Sequence, residues 1–258
     1  MARRWNLEEE KEKRDELTKL YVEENKTIGE VARCLGLAEG TVYDRLLRLG
    51  IPSQPWLKPK SCNRHSHINI PDYSCELAEF IGILLGDGCI TPTQVTVTLG
   101  TKEDGYVKHV SNLMRNLFNA DPRTLTSKNG KTVYFGSTLI VRWLLRMGLA
   151  RNKVLAQVDI PEWVKTRTEY KIACLRGLID TDGSVYKLRW GFQISFTNYA
   201  KPLLHSAREV LIQLGFHPSR VTRNAFYLTR KEDLDKFNRE VGFRNPKHLE
   251  RFRRFSQS

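Results

Sequence analysis

The sequence predicts an α/β (α+β) protein: a small all-helical segment, then a larger domain in which one αββαββα unit is folded twice. Three observations carry this. A nine-residue pattern, apolar with small residues at helical spacing and closed by Asp-Gly, occurs at Phe80–Gly88 (FIGILLGDG) and again at Leu175–Gly183 (LRGLIDTDG). Two further anchors recur at nearly the same offset: Tyr134 with Tyr227, and Gly148-Leu-Ala-Arg-Asn-Lys153 with Gly242-Phe-Arg-Asn-Pro-Lys247. Between the anchors, the apolar residues switch between helix period and strand period in the same order in both copies. A duplicated unit of this kind closes with pseudo-two-fold symmetry.

In chain order, residues 1–52 read as helices. Leu7, Leu17, Leu20 and Tyr21 offer a buried stripe. A second pattern starts at Thr27, where Thr27 and Glu30 form a capping box. Ala32 permits close helix approach, Gly36 suits a turn with positive φ, and Val42, Leu46 and Leu49 give the next helix an inner face. This spacing resembles a helix-turn-helix DNA-binding domain, whose second helix presents Thr41, Tyr43, Arg45 and Arg48 to a groove. Residues 53–73 read as a linker, with Pro55, Pro59 and Pro71 and few apolar residues. Cys62, His65, His67 and Cys75 match no familiar zinc spacing, so no zinc site is expected there.

Residues 74–258 hold the two repeats, about 74–160 and 161–258. In the first, Ser74 caps a helix, Gln94–Thr101 alternates as a strand, Gly105–Phe118 is helical, Thr132–Phe135 is extended and Thr138–Met147 is helical. In the second, Thr166 with Glu169 caps a helix and Trp190–Phe196 alternates with Phe192, Ile194 and Phe196 inward. Lys201–Leu214 is helical, Ala225–Leu228 extended and Glu232–Val241 helical.

Composition narrows the partner. The 258 residues are 40% hydrophobic, enough to bury a core, and carry a formal net charge of +13. Residues 1–25 hold 8 acids and 6 bases, so the excess lies beyond them. A field of that sign favours a polyanion. The 5 Cys are an odd number and scattered, no secretion signal is evident, and no apolar run approaches a membrane span, so a cytoplasmic, nucleoid-associated protein with free thiols is expected.

The repeated motif carries the chemistry. Gly82 and Gly86 leave one face of the first helix bare, and Gly177 and Thr181 do the same on the second. Small residues four apart let two helices meet backbone to backbone. Parallel packing would then set Asp87 beside Asp182, at the negative ends of two helix dipoles. Two carboxylates there repel unless a cation joins them, and Mg²⁺ with waters and phosphate oxygens would complete the site.

These residues resemble the LAGLIDADG motif of homing endonucleases, and the likeness covers about residues 74–258. It implies two saddle-shaped antiparallel sheets in the DNA major groove and one active site at the two-helix interface. It implies Asp87 and Asp182 as metal ligands, with Gly86 and Thr181 beside them in the metal site, and Lys153 and Lys247 as active-site lysines that position water and stabilise charge. Gln193, with Thr98 as its weaker counterpart, would stand beside the water network. Mg²⁺ is the implied cofactor, Mn²⁺ an expected substitute, and Ca²⁺ an ion expected to bind without cleavage. Leu85 departs from the consensus acid that the second copy keeps as Asp180; that acid is usually structural. Thr96, Arg189, Gln193 and Arg223 are candidate base readers along the strands.

The expected function is site-specific, double-strand DNA cleavage by a monomer, intron-encoded or free-standing, since intein splicing signatures are absent. Two alternatives stay open: a non-cleaving DNA-binding transcription regulator, and an RNA maturase assisting intron splicing. Degenerate regulators of this kind lose the acids, whereas Asp87 and Asp182 are both present here.

Overall fold

The computed structural model describes residues 7–24, 26–51 and 68–256. The chain forms two compact units, residues 1–61 and 62–258. In the first, α1 (Leu7–Thr18) runs into a wider turn at Lys19–Glu23, followed by α2 (Ile28–Leu35) and α3 (Glu39–Arg48). Thr27 and Glu30 make the reciprocal capping box, and Gly36 ends α2 at φ 62°. Leu17, Tyr21, Val31, Ala32, Val42, Leu46 and Ile51 form this unit's core. The α2 and α3 apolar residues therefore face inward at helical period. Tyr43 and Arg48 are exposed on α3, and Thr41 and Arg45 half-buried. The side chain of Leu7 and the residues Cys62, His65 and His67 lie outside the described set; Cys75 is the first residue of α4.

The second unit begins with α4 (Cys75–Leu85), then β1 (Gly88–Ile90), β2 (Gln94–Leu99), α5 (Asp104–Phe118), β3 (Arg123–Thr126), β4 (Lys131–Gly136) and α6 (Thr138–Arg146). After the short α7 (Glu162–Lys165) the order recurs as α8 (Thr168–Asp182), β5 (Gly183–Lys187), β6 (Phe192–Thr197), α9 (Lys201–Gln213), β7 (Ala225–Leu228), α10 (Lys231–Glu240) and α11 (Pro246–Ser256). The sheets are antiparallel, in the orders β1-β2-β4-β3 and β5-β6-β7. Val95, Val97 and Leu99 are buried on β2, as are Ile194 and Phe196 on β6. One hydrophobic core runs through both repeats.

The fold is the mixed α/β architecture with antiparallel sheets that the sequence predicts, with three local corrections. The second repeat has one strand fewer. Its third strand shrinks to a Thr222↔Ala225 bridge and a Ser219 N–H to Tyr227 carbonyl bond, and the chain turns at Arg223, which has positive φ, directly after that bridge. Thr166 does not cap α8: its hydroxyl donates to the Trp163 carbonyl at 2.7 Å, and Arg167 takes the N-cap position. Arg189 and Arg223 lie in hairpin turns rather than on strands, with Arg223 at φ 56°. Among the described residues, no helix is long and apolar enough to cross a membrane.

Candidate active site

The two motif helices, α4 and α8, pack in parallel at the centre of the second unit. From Leu77 to Leu85 every residue of α4 is buried, so this helix has no solvent face. The glycines make the contact possible. A Cβ on Gly82 would lie 2.2 Å from the Cys174 carbonyl oxygen, and one on Gly177 would lie 2.3 Å from the Glu79 carbonyl oxygen. No side chain fits, so backbone rests on backbone. Glu79, buried in this interface, accepts from Arg176 at 3.1 Å and contacts His109 Nε2 at 2.6 Å. Burial alone would raise its pKa, but His109 and Arg176 outweigh it and hold the carboxyl below its usual value.

The motif's last glycines work differently from a helix cap. Gly183 is extended at φ −84° and ψ 166°. A Cβ on Gly88 would lie 2.5 Å from the Leu84 carbonyl oxygen, and one on Gly183 would lie 2.2 Å from that of Ile179. Each glycine lets the following strand turn back against the last helical turn. This is a close approach and needs no positive φ.

The parallel packing brings Asp87 and Asp182 to the same end of the pair. Burial and the neighbouring Asp182 push Asp87 up to about 6, against the pull of Lys153. Burial also raises Asp182, opposed by Asn198, whose amide donates to Asp182 Oδ2 at 2.6 Å. Lys153 lies in the field of both acids, and burial lowers its pKa. Its ammonium donates to the Leu84 carbonyl at 3.2 Å and to the Gly86 carbonyl. Lys247 acts on Asp87 less strongly than Lys153 does: it donates to Glu103 Oε1 at 3.1 Å, and its side chain is 47% exposed.

Thr98 lies beside the acid pair, its N–H donating to the Asp87 carbonyl at 3.2 Å. Gln193 lies farther out along the sheet, opposite Tyr186, and bonds to that hydroxyl. The registers Gly88↔Val97 and Gly183↔Phe196 make Gln94, not Thr98, the counterpart of Gln193. Thr181 Oγ1 is turned back to the Gly177 carbonyl at 2.8 Å, and the Gly86 carbonyl is taken by Lys153. Two carboxylates in a buried, mutually repulsive pair suit a hard divalent cation, so Asp87 and Asp182 are the donors that fit one. Among the described residues, no three His, Cys, Asp or Glu side chains gather into a metal cluster.

Composition and spacing alone gave no notice of three residues here. Asn198 needs the β6 register to be seen. Glu103 and Asn245 come from opposite repeats and meet at 3.2 Å. Asp180 accepts the Arg244 N–H at 2.8 Å and, through its carbonyl, the Asn245 amide at 3.1 Å. The second repeat thus ties the loop that leads into α11 and Lys247 to its motif helix. Asp180 is buried and pushed up to about 7 by desolvation, and its Oδ1 has no hydrogen-bond partner.

Residues 169–242, which include most of α8 and the sheet that follows it, match the family model described as LAGLIDADG-like domain. The chain therefore carries a LAGLIDADG-like domain built around the α8 motif. Among curated proteins it is similar to an A-type ATP synthase subunit of Pyrococcus abyssi, 29% identical over 122 residues, which are 46% of this chain and 12% of that protein. It is also similar to replication factor C small subunit of Methanocaldococcus jannaschii, 23% identical over 195 residues, covering 73% of this chain and 10% of that one. The chain thus spans about a tenth of the length of these relatives. Among solved structures it is similar to I-DmoI in complex with DNA and Ca (16% identity, TM-score 0.49, 65% of this chain and 88% of that one). The N-terminal LAGLIDADG domain of DUF199/WhiA is a second (15% identity, TM-score 0.47, 67% and 87%).

Proposed function

We propose that this protein is a site-specific DNA endonuclease that hydrolyses a phosphodiester in each strand of a long target. The observation that carries the reading is the acid pair: Asp87 and Asp182 end two helices packed backbone to backbone, with Lys153 facing both. Asp87 and Asp182 would hold a divalent cation, Mg²⁺ in the first instance, which supplies charge neutralisation at the phosphate and a more acidic water. Lys153, already desolvated, offers a cation to charge developing on the phosphoryl oxygens. Asn198 fixes the rotamer of Asp182. Thr98 holds the backbone at Asp87, and Gln193 with Tyr186 offers polar groups on the face of β5 and β6. Because one chain supplies both acids, a monomer suffices.

Affinity in this reading comes from the basic surface. Thr96 on β2, with Arg189 and Arg223 in turns, are the candidate base or phosphate contacts. The α2–α3 pair acts as a helix-turn-helix, with Thr41, Tyr43, Arg45 and Arg48 toward DNA. The curated relatives add support for mobility. They are named for unrelated activities, each matches over about a tenth of its length, and the shares of this chain are large enough that the two matches overlap. A segment common to two such proteins behaves as a movable module.

A second reading, a regulator that binds DNA without cutting, is favoured by one departure in the first motif: Leu85 stands where the second motif has the acid Asp180. Cleavage of a randomised duplex library in Mg²⁺, beside the Asp87→Asn/Asp182→Asn protein, separates the two. Discrete cut sites from wild type alone establish the nuclease. Selective retention of one sequence by both proteins, with no cutting, establishes the regulator.

A further inference from the structure

A cleft of about 690 Å³ that includes Lys247 and Glu103 opens between the repeats. Gly100, Lys102, Glu103 and Gly105 line it from the first repeat, and Lys247, Arg251 and Arg254 are among its residues from the second. The first turn of α5 abuts the first residue of α11: a Cβ on Gly105 would lie 3.0 Å from Pro246 Cγ. Among the described residues Lys102, Arg251 and Arg254 make no ion pair, although Glu103 and Glu250 share the cleft. The α5 N-terminus also has no side-chain cap, so its first N–H groups add to the positive field. Cations left unneutralised in a cleft that could have paired them with its own acids point to an anion from outside.

Glu103 sits on the floor of this cleft with its side chain 10% exposed and holds Lys247 at 3.1 Å. Its other oxygen accepts the Gly100 N–H at 2.7 Å, so the carboxylate cannot swing out to follow an incoming ligand. Lys247, half-exposed on the rim, can.

We infer that this cleft seats a backbone phosphate of the bound DNA, and that Lys247 exchanges Glu103 for that phosphate when the duplex arrives. The inference rests on the DNA-binding reading above. It explains why the two motif lysines differ here: Lys153 is committed to the acids, whereas Lys247 waits on an internal anion that mimics the substrate. Occupancy of the cleft then moves the Lys247 ammonium from Glu103 onto the seated phosphate.

The test is the salt dependence of binding to a random-sequence duplex in EDTA, with the full chain. Lys102→Ser/Arg254→Ser is compared with Lys108→Ser, an exposed charge on α5 outside the cleft. The cleft variant is expected to lower the slope of log K against log salt by about 1 for each phosphate it no longer neutralises, and to weaken binding about tenfold at low salt. Glu103→Gln, which keeps an acceptor for Gly100 and removes the competing charge, is expected to tighten binding several-fold. If the cleft variant matches Lys108→Ser in slope, the phosphate seat is wrong while the DNA-binding reading stands. If Glu103→Gln weakens binding, the exchange is wrong. If wild type binds no duplex at all, the underlying reading fails and takes this inference with it.

Discussion

The two repeats share a backbone plan and differ in how each supports its acid. In the second, Asp182 is held by Asn198, and Asp180 ties down the loop just before Lys247. In the first, strand register puts Leu99 where the second repeat has Asn198, and Leu85 stands where it has Asp180. Leu85 and Leu99 are both buried. Among the described residues, the Asp87 carboxylate makes no hydrogen bond, and Lys153 and, less strongly, Lys247 supply its nearby positive charge. The comparison teaches that duplication conserved what the helix packing demands, the glycines and the terminal acids. It let the polar scaffolding diverge into one apolar and one hydrogen-bonded version. The acid in the apolar version is the one pushed up to about 6.

The largest effect should come from what the repeats share. Gly82→Ala or Gly177→Ala would drive a methyl into a carbonyl at close to 2 Å, and should destabilise the second unit by more than about 3 kcal/mol in denaturant titrations. Gly40→Ala, where a Cβ meets nothing within 4 Å, is the control. A Gly82→Ala protein as stable as wild type would break the backbone-packing account.

Next come the acids. Asp87→Asn and Asp182→Asn should each lower single-turnover cleavage by about 10³-fold or more while leaving duplex binding intact, since metal-ligand interactions are worth several kcal/mol. Unequal loss on the two strands would sharpen the comparison by assigning each acid to one cut.

Leu85→Asp gives the first repeat the acid of the second without the loop that satisfies it. It should cost about 3 kcal/mol in chemical denaturation, from a buried carboxylate with no partner. If it proved neutral, the Lys153 loop must be able to supply N–H donors as the Lys247 loop does.

A smaller, kinetic effect should separate the lysines. Lys153→Met should slow cleavage by about 10²-fold or more, in the range of a group acting on the transition state. Lys247→Met should cost less and change the salt slope, because Lys247 contacts Glu103 and not the acids. Equal losses would restore the symmetric picture.

The smallest effect is in pH. Asp87 must be ionised to hold a cation, and its pKa is raised, so cleavage should fall as pH drops through about 6. Asn198→Leu, which gives Asp182 the apolar neighbour of the first repeat, removes a bond that favours its charged form. The acid limb should therefore move to higher pH in rate–pH profiles. No movement would mean that Asn198 does not tune Asp182.

Much of this was legible without coordinates. The paired Asp-Gly motifs, the period switches and the three anchors predict the element order of both repeats. Local signals are self-contained there: a capping box at Thr27, a Ser74 cap, alternation through Val95, Val97 and Leu99. The glycines at 82 and 177 also announced a close helix pair, because nothing else explains bare faces on an apolar helix.

What the sequence left to the tertiary structure were contacts between residues far apart in the chain. No pattern pairs Asn198 with Asp182, Glu103 with Lys247 or Asp180 with Arg244. Each depends on which strand register forms and where a loop lands, and those follow from packing the whole core. The same is true of the closing glycines, which serve as clearances for a strand crossing the helix end. Local propensity decided the elements, the steric demand of backbone packing decided the acid pair, and only the assembled fold decided which polar groups surround it.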